Sequence, residues 1–511
     1  MSAATDLIGN RLRRRLSMAP PEAFLFLLWG AERVVAGDVE RARQVITIAD
    51  NLIPRDGIGS PTTVYPWELE TLFNLFAQER DAEPTERFLN CGDYSAVLQL
   101  AGALRKLEGA EFLALSRKED IWAEMGRLTR RQFPWQRGYT NVAQHLRSAY
   151  IYNQGACAEY FRSETGMSPD VFTLAGFSLF ASFSNRPALI RNAPFEVIGI
   201  SQATMGKVLS LVSLPLSRLG EAGRRRADRR TPVAYQRSVL RDFPIVELGP
   251  GFIAPLPPLI ELRTTAGIYL DVVKGGSAVN TEIGRRFEDY CADLLTASYP
   301  SLTIQRAFRY GPKSRTVDSP DLLIRKDETL VTIIECKAKR MTIDERYGSK
   351  EISGSGIEEI AKGVAQIWRF RADARLGRAV AGLISPAVVG VVLTLDEWGG
   401  VSGRVLETAR AKARELLKDS PDVSLSDQIP VALCHIEDLE STLERADETA
   451  FIEGFKIVAG DKPGRYVRDA LRDAEMLATE RRPYPMRDRI SEFLPWWGNF
   501  GDGRVGYQPL K

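Results

Sequence analysis

Asp321, Glu335 and Lys337 are the residues of this chain whose types and spacing could do chemistry. The run Leu330-Val331-Thr332-Ile333-Ile334-Glu335-Cys336-Lys337-Ala338-Lys339 is β-branched and apolar before it turns charged, which reads as a central strand covered on both faces. Side chains alternate along a strand, so Glu335, Lys337 and Lys339 share a face. A carboxylate and an ammonium at the end of a buried strand are costly unless they pair or bind something. Upstream, Ser319-Pro320-Asp321-Leu322-Leu323-Ile324 opens a second strand, and Lys326-Asp327-Glu328 can turn the two into a hairpin. Opposed residues in such a hairpin lie about 5 Å apart, so Asp321 and Glu335 could share one cation. Hard oxygen ligands suit Mg²⁺, with Mn²⁺ as a substitute. An ion held there would polarise a phosphodiester, and Lys337 would orient water or stabilise developing phosphoryl charge.

Pro320-Asp321 followed by Glu335-Cys336-Lys337 resembles the PD-(D/E)xK signature of the restriction-endonuclease-like superfamily, over roughly residues 280–442. The resemblance implies an α/β core with a central mixed sheet, Asp321 and Glu335 as metal ligands, and Lys337 completing the catalytic set. Family members often place a Glu on the helix before the core, and Glu288 in Arg285-Arg286-Phe287-Glu288-Asp289-Tyr290 matches that position. Gln366 with Phe370 resembles the Gln-aromatic pair of exonuclease-like branches, where Tyr is the usual aromatic. The implied function is a Mg²⁺-dependent nuclease acting on DNA, in restriction of foreign DNA or in repair. The alternative is a catalytically inactive nucleic-acid-binding or protein-interaction scaffold with the same fold.

The elements that must position these residues follow from periodicity. Asn280 can cap a helix through Ile283, Phe287, Tyr290 and Leu294. Strands are predicted at 302–308, 322–325, 330–338, 388–395 and 430–435, alternating with helices at 356–375 and 405–417. This alternation predicts an α/β domain with helices packed on a mixed sheet. Residues 1–247 instead read as mainly helical, as in Pro66–Phe76, 94–107 and 172–183. The Pro/Gly-dense stretch 248–262 reads as a connector. The predicted organisation is therefore a helical region at 1–247, the connector, a nuclease-like domain at 263–459, and a helix and tail at 460–511. The helical region would select the target, regulate access or mediate self-association or partner binding.

The chain's 511 residues exceed what one core usually serves. With a net charge of +2, any DNA surface must come from local segregation of charge. Arg224, Arg225, Arg226, Arg229 and Arg230 form a basic cluster and read as an exposed loop that could contact phosphate, as could Lys339. Five cysteines without a CxxC pair and only two histidines, His145 and His435, argue against a disulfide framework, a zinc site or a Ser-His-Asp triad. Gly206-Lys207 lacks P-loop spacing, so no NTPase motif is present. Trp496-Trp497 reads as a core or interface anchor. No apolar run reaches the roughly 20 residues of a membrane span, and a cytoplasmic location is expected.

Overall fold

Val331, Thr332, Ile333 and Ile334 favour an extended backbone, and they lie at the heart of the C-terminal sheet in the computed structural model. The structure describes residues 3–54, 60, 62–80, 88–115, 121–228, 231–313, 316–341, 354–398, 403–460 and 464–500. Within the C-terminal half the elements run α1 (Gly276–Ser298), β1 (Thr303–Arg306), β2 (Leu322–Lys326), β3 (Thr329–Lys337), α2 (Gly354–Arg375), β4 (Leu383–Thr394), α3 (Arg404–Leu416), β5 (Val431–His435), α4 (Ile436–Leu443) and α5 (Glu448–Ala459). The sheet order is β5-β4-β3-β2-β1. β1, β2 and β3 pair antiparallel, whereas β4 and β5 continue the sheet in parallel with β3. The sheet is thus mixed, and β3 is covered by a neighbour on each side.

Strand alternation sorts the apolar residues into two layers. Ile324, Ile334, Val391 and Cys434 pack with Phe287, Tyr290 and Leu294 of α1. Leu323, Ile333, Val392 and Val431 pack on the other face with Val364 and Trp368 of α2 and Leu406 and Ala409 of α3. Glu335 and Lys337 share parity with Ile333, so they point toward α2.

β2 and β3 form the expected hairpin, with Lys326 opposite Thr329 and Leu322 opposite Ile334. Asp327 and Glu328, which make its turn, both have positive φ, 47° and 62°. Left-handed backbone costs a residue with a β-carbon roughly 1 kcal/mol or more, and two-residue hairpin turns favour Asn-Gly for that reason. Replacing the pair by Asp327→Asn and Glu328→Gly should raise stability by about 1 kcal/mol, read as a higher Tm. An unchanged or lower Tm would show that these residues sit there without strain.

Three expectations need correction. Asn280 does not cap α1: the helix begins at Gly276, and Asn280 is an exposed residue within it. The stretch 248–262 is not a connector. Strands Ile245–Leu248 and Gly251–Ile253 pair across it, Gly249 makes the turn at φ 55°, and Pro258 opens the helix Pro258–Thr264. Proline at a helix start and glycine at a tight turn carry the same composition as a linker, yet here Ala254, Leu256, Leu259 and Ile260 are buried. The boundary at 247 also divides no core. Leu146, Phe161, Phe172 and Val208 join the α1 side of the sheet, while Leu214, Leu240, Val246 and Leu259 join the N-terminal helices around Leu28, Leu72 and Leu100.

Helices dominate the N-terminal half as expected, including Pro66–Gln78, Tyr94–Leu115 and Pro169–Asn185, beside a four-stranded sheet of short strands. Within residues 464–500 the chain is tied to the rest of the fold. Trp496 is buried in the larger core, and its indole N–H donates to the Asp170 carbonyl at 3.2 Å. Among the described residues, no helix is long and apolar enough to cross a membrane.

Candidate active site

The carboxyl end of β3 brings the proposed residues together. Continuing the β2–β3 register by one residue sets Asp321 level with Glu335. The Asp321 carboxylate is anchored there, since its Oδ2 accepts the Cys336 backbone N–H at 2.7 Å. Glu335 is 2% exposed, and its Oε1 accepts from Lys337 Nζ at 2.8 Å. Its second oxygen, Oε2, is buried without a hydrogen-bond partner. A buried carboxylate oxygen left unsatisfied is costly, and such an atom has lone pairs to offer a donor or a cation.

Gln366 belongs to the cluster: Lys337 Nζ donates to its Oε1 at 3.1 Å. Phe370, its aromatic companion in the sequence, is instead a core residue in edge contact with Phe308 and Tyr310. Glu288 reaches the same site from α1, within electrostatic range of Asp321 and Lys337.

The electrostatics report crowding. Burial first, and then the Asp321 carboxylate, push Glu335 up to about 8 against the pull of Lys337. Burial and Asp321 likewise push Glu288 up to about 7. Asp321 is raised by burial despite its backbone hydrogen bond and Lys337. Burial works against the Lys337 charge, but the Glu335 carboxylate outweighs it and keeps the ammonium protonated. Three carboxylates against one ammonium sum to −2 when all are ionised, which is the charge one divalent cation offsets. The orphaned Glu335 oxygen and this excess charge fit a hard cation held by Asp321 and Glu335. Among the described residues no larger His, Cys, Asp or Glu group forms an ion cage. Mg²⁺ needs none, because it keeps several waters and commonly takes only one or two carboxylates.

Gly363 escaped the reading of the sequence. A β-carbon there would lie 3.2 Å from Glu335 Cγ, 3.2 Å from Val392 Cγ2 and 3.3 Å from Lys337 Cε. The signal available was a glycine inside a long helical pattern, which costs about 1 kcal/mol relative to alanine and calls for a packing reason. Gly363→Ala regains that propensity but crowds the stems of both site residues. Stability should therefore stay within about 1 kcal/mol of wild type while Lys337 is displaced. The expected result is a wild-type-like Tm with Lys337 shifted from its contacts with Glu335 and Gln366 in a structure of the variant; an unmoved lysine would show that α2 yields instead.

The remaining candidates are not assembled with these. Lys339 lies beyond the end of β3 and is exposed, within electrostatic reach of Glu359. Arg224, Arg225 and Arg226 do not form a loop; they close the helix Leu216–Arg226, where cations suit the C-terminal end of the helix dipole. Arg225 pairs with Glu221 at 2.5 Å and Arg226 with Asp242 at 2.8 Å, so part of the cluster's charge is answered within the protein. Arg229 and Arg230 lie outside the described residues. Both histidines are packed. His145 is buried 2.6 Å from the Glu261 carboxylate, and burial holds His435 down to about 3, hence neutral. All five cysteines are buried and free.

Comparison of the chain with family models, curated proteins and solved structures found no match.

Proposed function

We propose that this protein is a Mg²⁺-dependent deoxyribonuclease whose C-terminal half resembles the restriction-endonuclease-like fold, with Asp321, Glu335 and Lys337 as catalytic residues and Glu288 and Gln366 in support. The observation that carries the reading is the buried Glu335. Its one oxygen is satisfied by Lys337, its other is buried without a hydrogen-bond partner, and Asp321 lies level with it on the neighbouring strand. A structural ion pair gains nothing from a second, unsatisfied carboxylate oxygen and an adjacent acid.

Asp321 and Glu335 would hold the cation, with Mn²⁺ able to substitute. Bound there, it would supply Lewis-acid polarisation of the phosphodiester and make water a better nucleophile at neutral pH. The chain's own groups do the rest. Lys337, fixed between Glu335 and Gln366, presents a positive charge and N–H donors to the phosphoryl oxygens as negative charge grows on them. The Cys336 amide fixes the Asp321 carboxylate so that no reorganisation is needed during reaction. Glu288, raised to about 7, can hold or release a proton near neutral pH. Helix α2 covers the site through Gly363 and limits water on that side.

DNA is assigned as substrate by the resemblance, and restriction of foreign DNA or repair is the role it suggests. The helical half then selects the target or controls access to it, alone or with a partner. A Mg²⁺ titration of cleavage on closed circular, linear duplex and single-stranded DNA, with RNA alongside, tests the proposal. Mg²⁺-dependent cleavage of DNA that EDTA stops is the expected result. DNA binding without cleavage under any divalent ion would favour the inactive nucleic-acid-binding scaffold.

A further inference from the structure

Helix α2 carries more toward the site than Gly363 and Gln366. Positions three and four apart on a helix lie on one stripe, so Glu359, Lys362, Gly363 and Gln366 share a face. The inner part of that stripe touches Glu335 and Lys337. Its outer part is open: the Lys362 side chain is 55% exposed and that of Glu359 31%. Lys362 Nζ lies 2.8 Å from Glu359 Oε1. Burial tends to raise the Glu359 carboxyl, but Lys362, then Lys337 and Lys339, pull it below the ordinary range, so it stays ionised among three lysines.

Resting on the nuclease reading, we propose that Lys362 is a backbone-phosphate contact at the mouth of the site. Glu359 is the internal carboxylate that occupies it until DNA arrives. An exposed ion pair three residues apart contributes little to stability and is easily exchanged. A polyanion offers Lys362 a phosphate oxygen and gains the release of condensed counterions. Lys362 on α2 and Lys339 just beyond β3 both lie within electrostatic reach of Glu359, as does Lys337 on the inner side. Glu359 competes with the substrate for the same cations.

The test is binding of a labelled duplex to the full-length chain in EDTA, by fluorescence anisotropy across a salt series, so that cleavage plays no part. Lys362→Ala should weaken binding roughly threefold to tenfold and lower the slope of log affinity against log salt by about one contact. Lys362→Glu should weaken it further. Glu359→Gln should tighten binding, because a competing carboxylate is lost while the lysine stays. Unchanged affinity in Lys362→Ala, or weaker binding in Glu359→Gln, overturns the phosphate contact at Lys362 and leaves the nuclease reading standing if wild type still binds and cuts. A wild-type chain that binds neither duplex nor single strands overturns both.

Discussion

Glu335→Gln should abolish Mg²⁺-dependent cleavage while the protein remains folded. The substitution is nearly isosteric and removes the charge that Asp321 alone cannot replace. It also removes the source of crowding, since Glu335 sits buried within reach of Asp321 and Glu288. The loss to Lys337 is limited, because Gln366 still accepts from its ammonium and Asp321 remains near. The pH dependence gives the prediction a sign. The folded-state pKa of Glu335 is raised to about 8, so ionising it costs the folded state. The stability associated with its proton is fully present below the unfolded value, about 4.3, and is lost as pH rises through about 8. In EDTA, therefore, the Tm of Glu335→Gln relative to wild type should climb between about pH 5 and pH 8 and then level off. Added Mg²⁺ should raise the wild-type Tm and leave the variant's unmoved, because the variant lacks one of the two proposed ligands. A folded variant that cuts DNA normally, or responds to Mg²⁺ as wild type does, would remove Glu335 from the metal site.

How much of this was legible beforehand follows from where each signal resides. The β2–β3 hairpin was readable because Leu322 to Ile324 and Val331 to Ile334 state a strand period locally, and the turn between them is short. With the hairpin came Asp321 beside Glu335, a contact between near neighbours in the chain. Glu288 and Gln366 come from helices on opposite faces of the sheet, and no local pattern says that both reach the end of β3. The resemblance to a known family suggested them. Gly363 was missed because a helical glycine is a weak mark until the strand beneath it is known. The connector was misread for a different reason. Proline and glycine mark places where the backbone changes direction, and between 248 and 262 those changes fold a strand pair and a helix into two buried cores. Burial of that kind depends on partners such as Leu28 and Leu72, far away in sequence.

Lys337→Ala should be the most informative substitution when run beside Lys339→Ala. The Lys337 side chain is 17% exposed and is held at two points, on Glu335 and on Gln366. A cation so fixed meets a reacting phosphate without reorganising, and loss of one such group usually costs roughly 10²- to 10³-fold in rate. DNA affinity should change little, because a buried lysine already satisfied by a carboxylate gains little net charge interaction from a distant backbone. Removing it also leaves Glu335 buried without its counter-ion. The apo protein should thus lose stability and recover part of it in Mg²⁺, whose charge takes over the lysine's neutralising role. Lys339 lies about 7 Å further along at strand spacing, past the end of β3 and open to solvent. Its loss should appear as weaker binding and a salt slope lower by about one contact, with cleavage at saturating DNA falling by less than tenfold. Single-turnover cleavage at saturating DNA and Mg²⁺, together with Tm in EDTA and in Mg²⁺, separates the two lysines. If Lys339→Ala is the inactive protein and Lys337→Ala the active one, catalysis occurs beyond the end of β3. The buried pair of Glu335 and Lys337 would then be scaffold, and the metal would have to be sought among the groups that face Lys339.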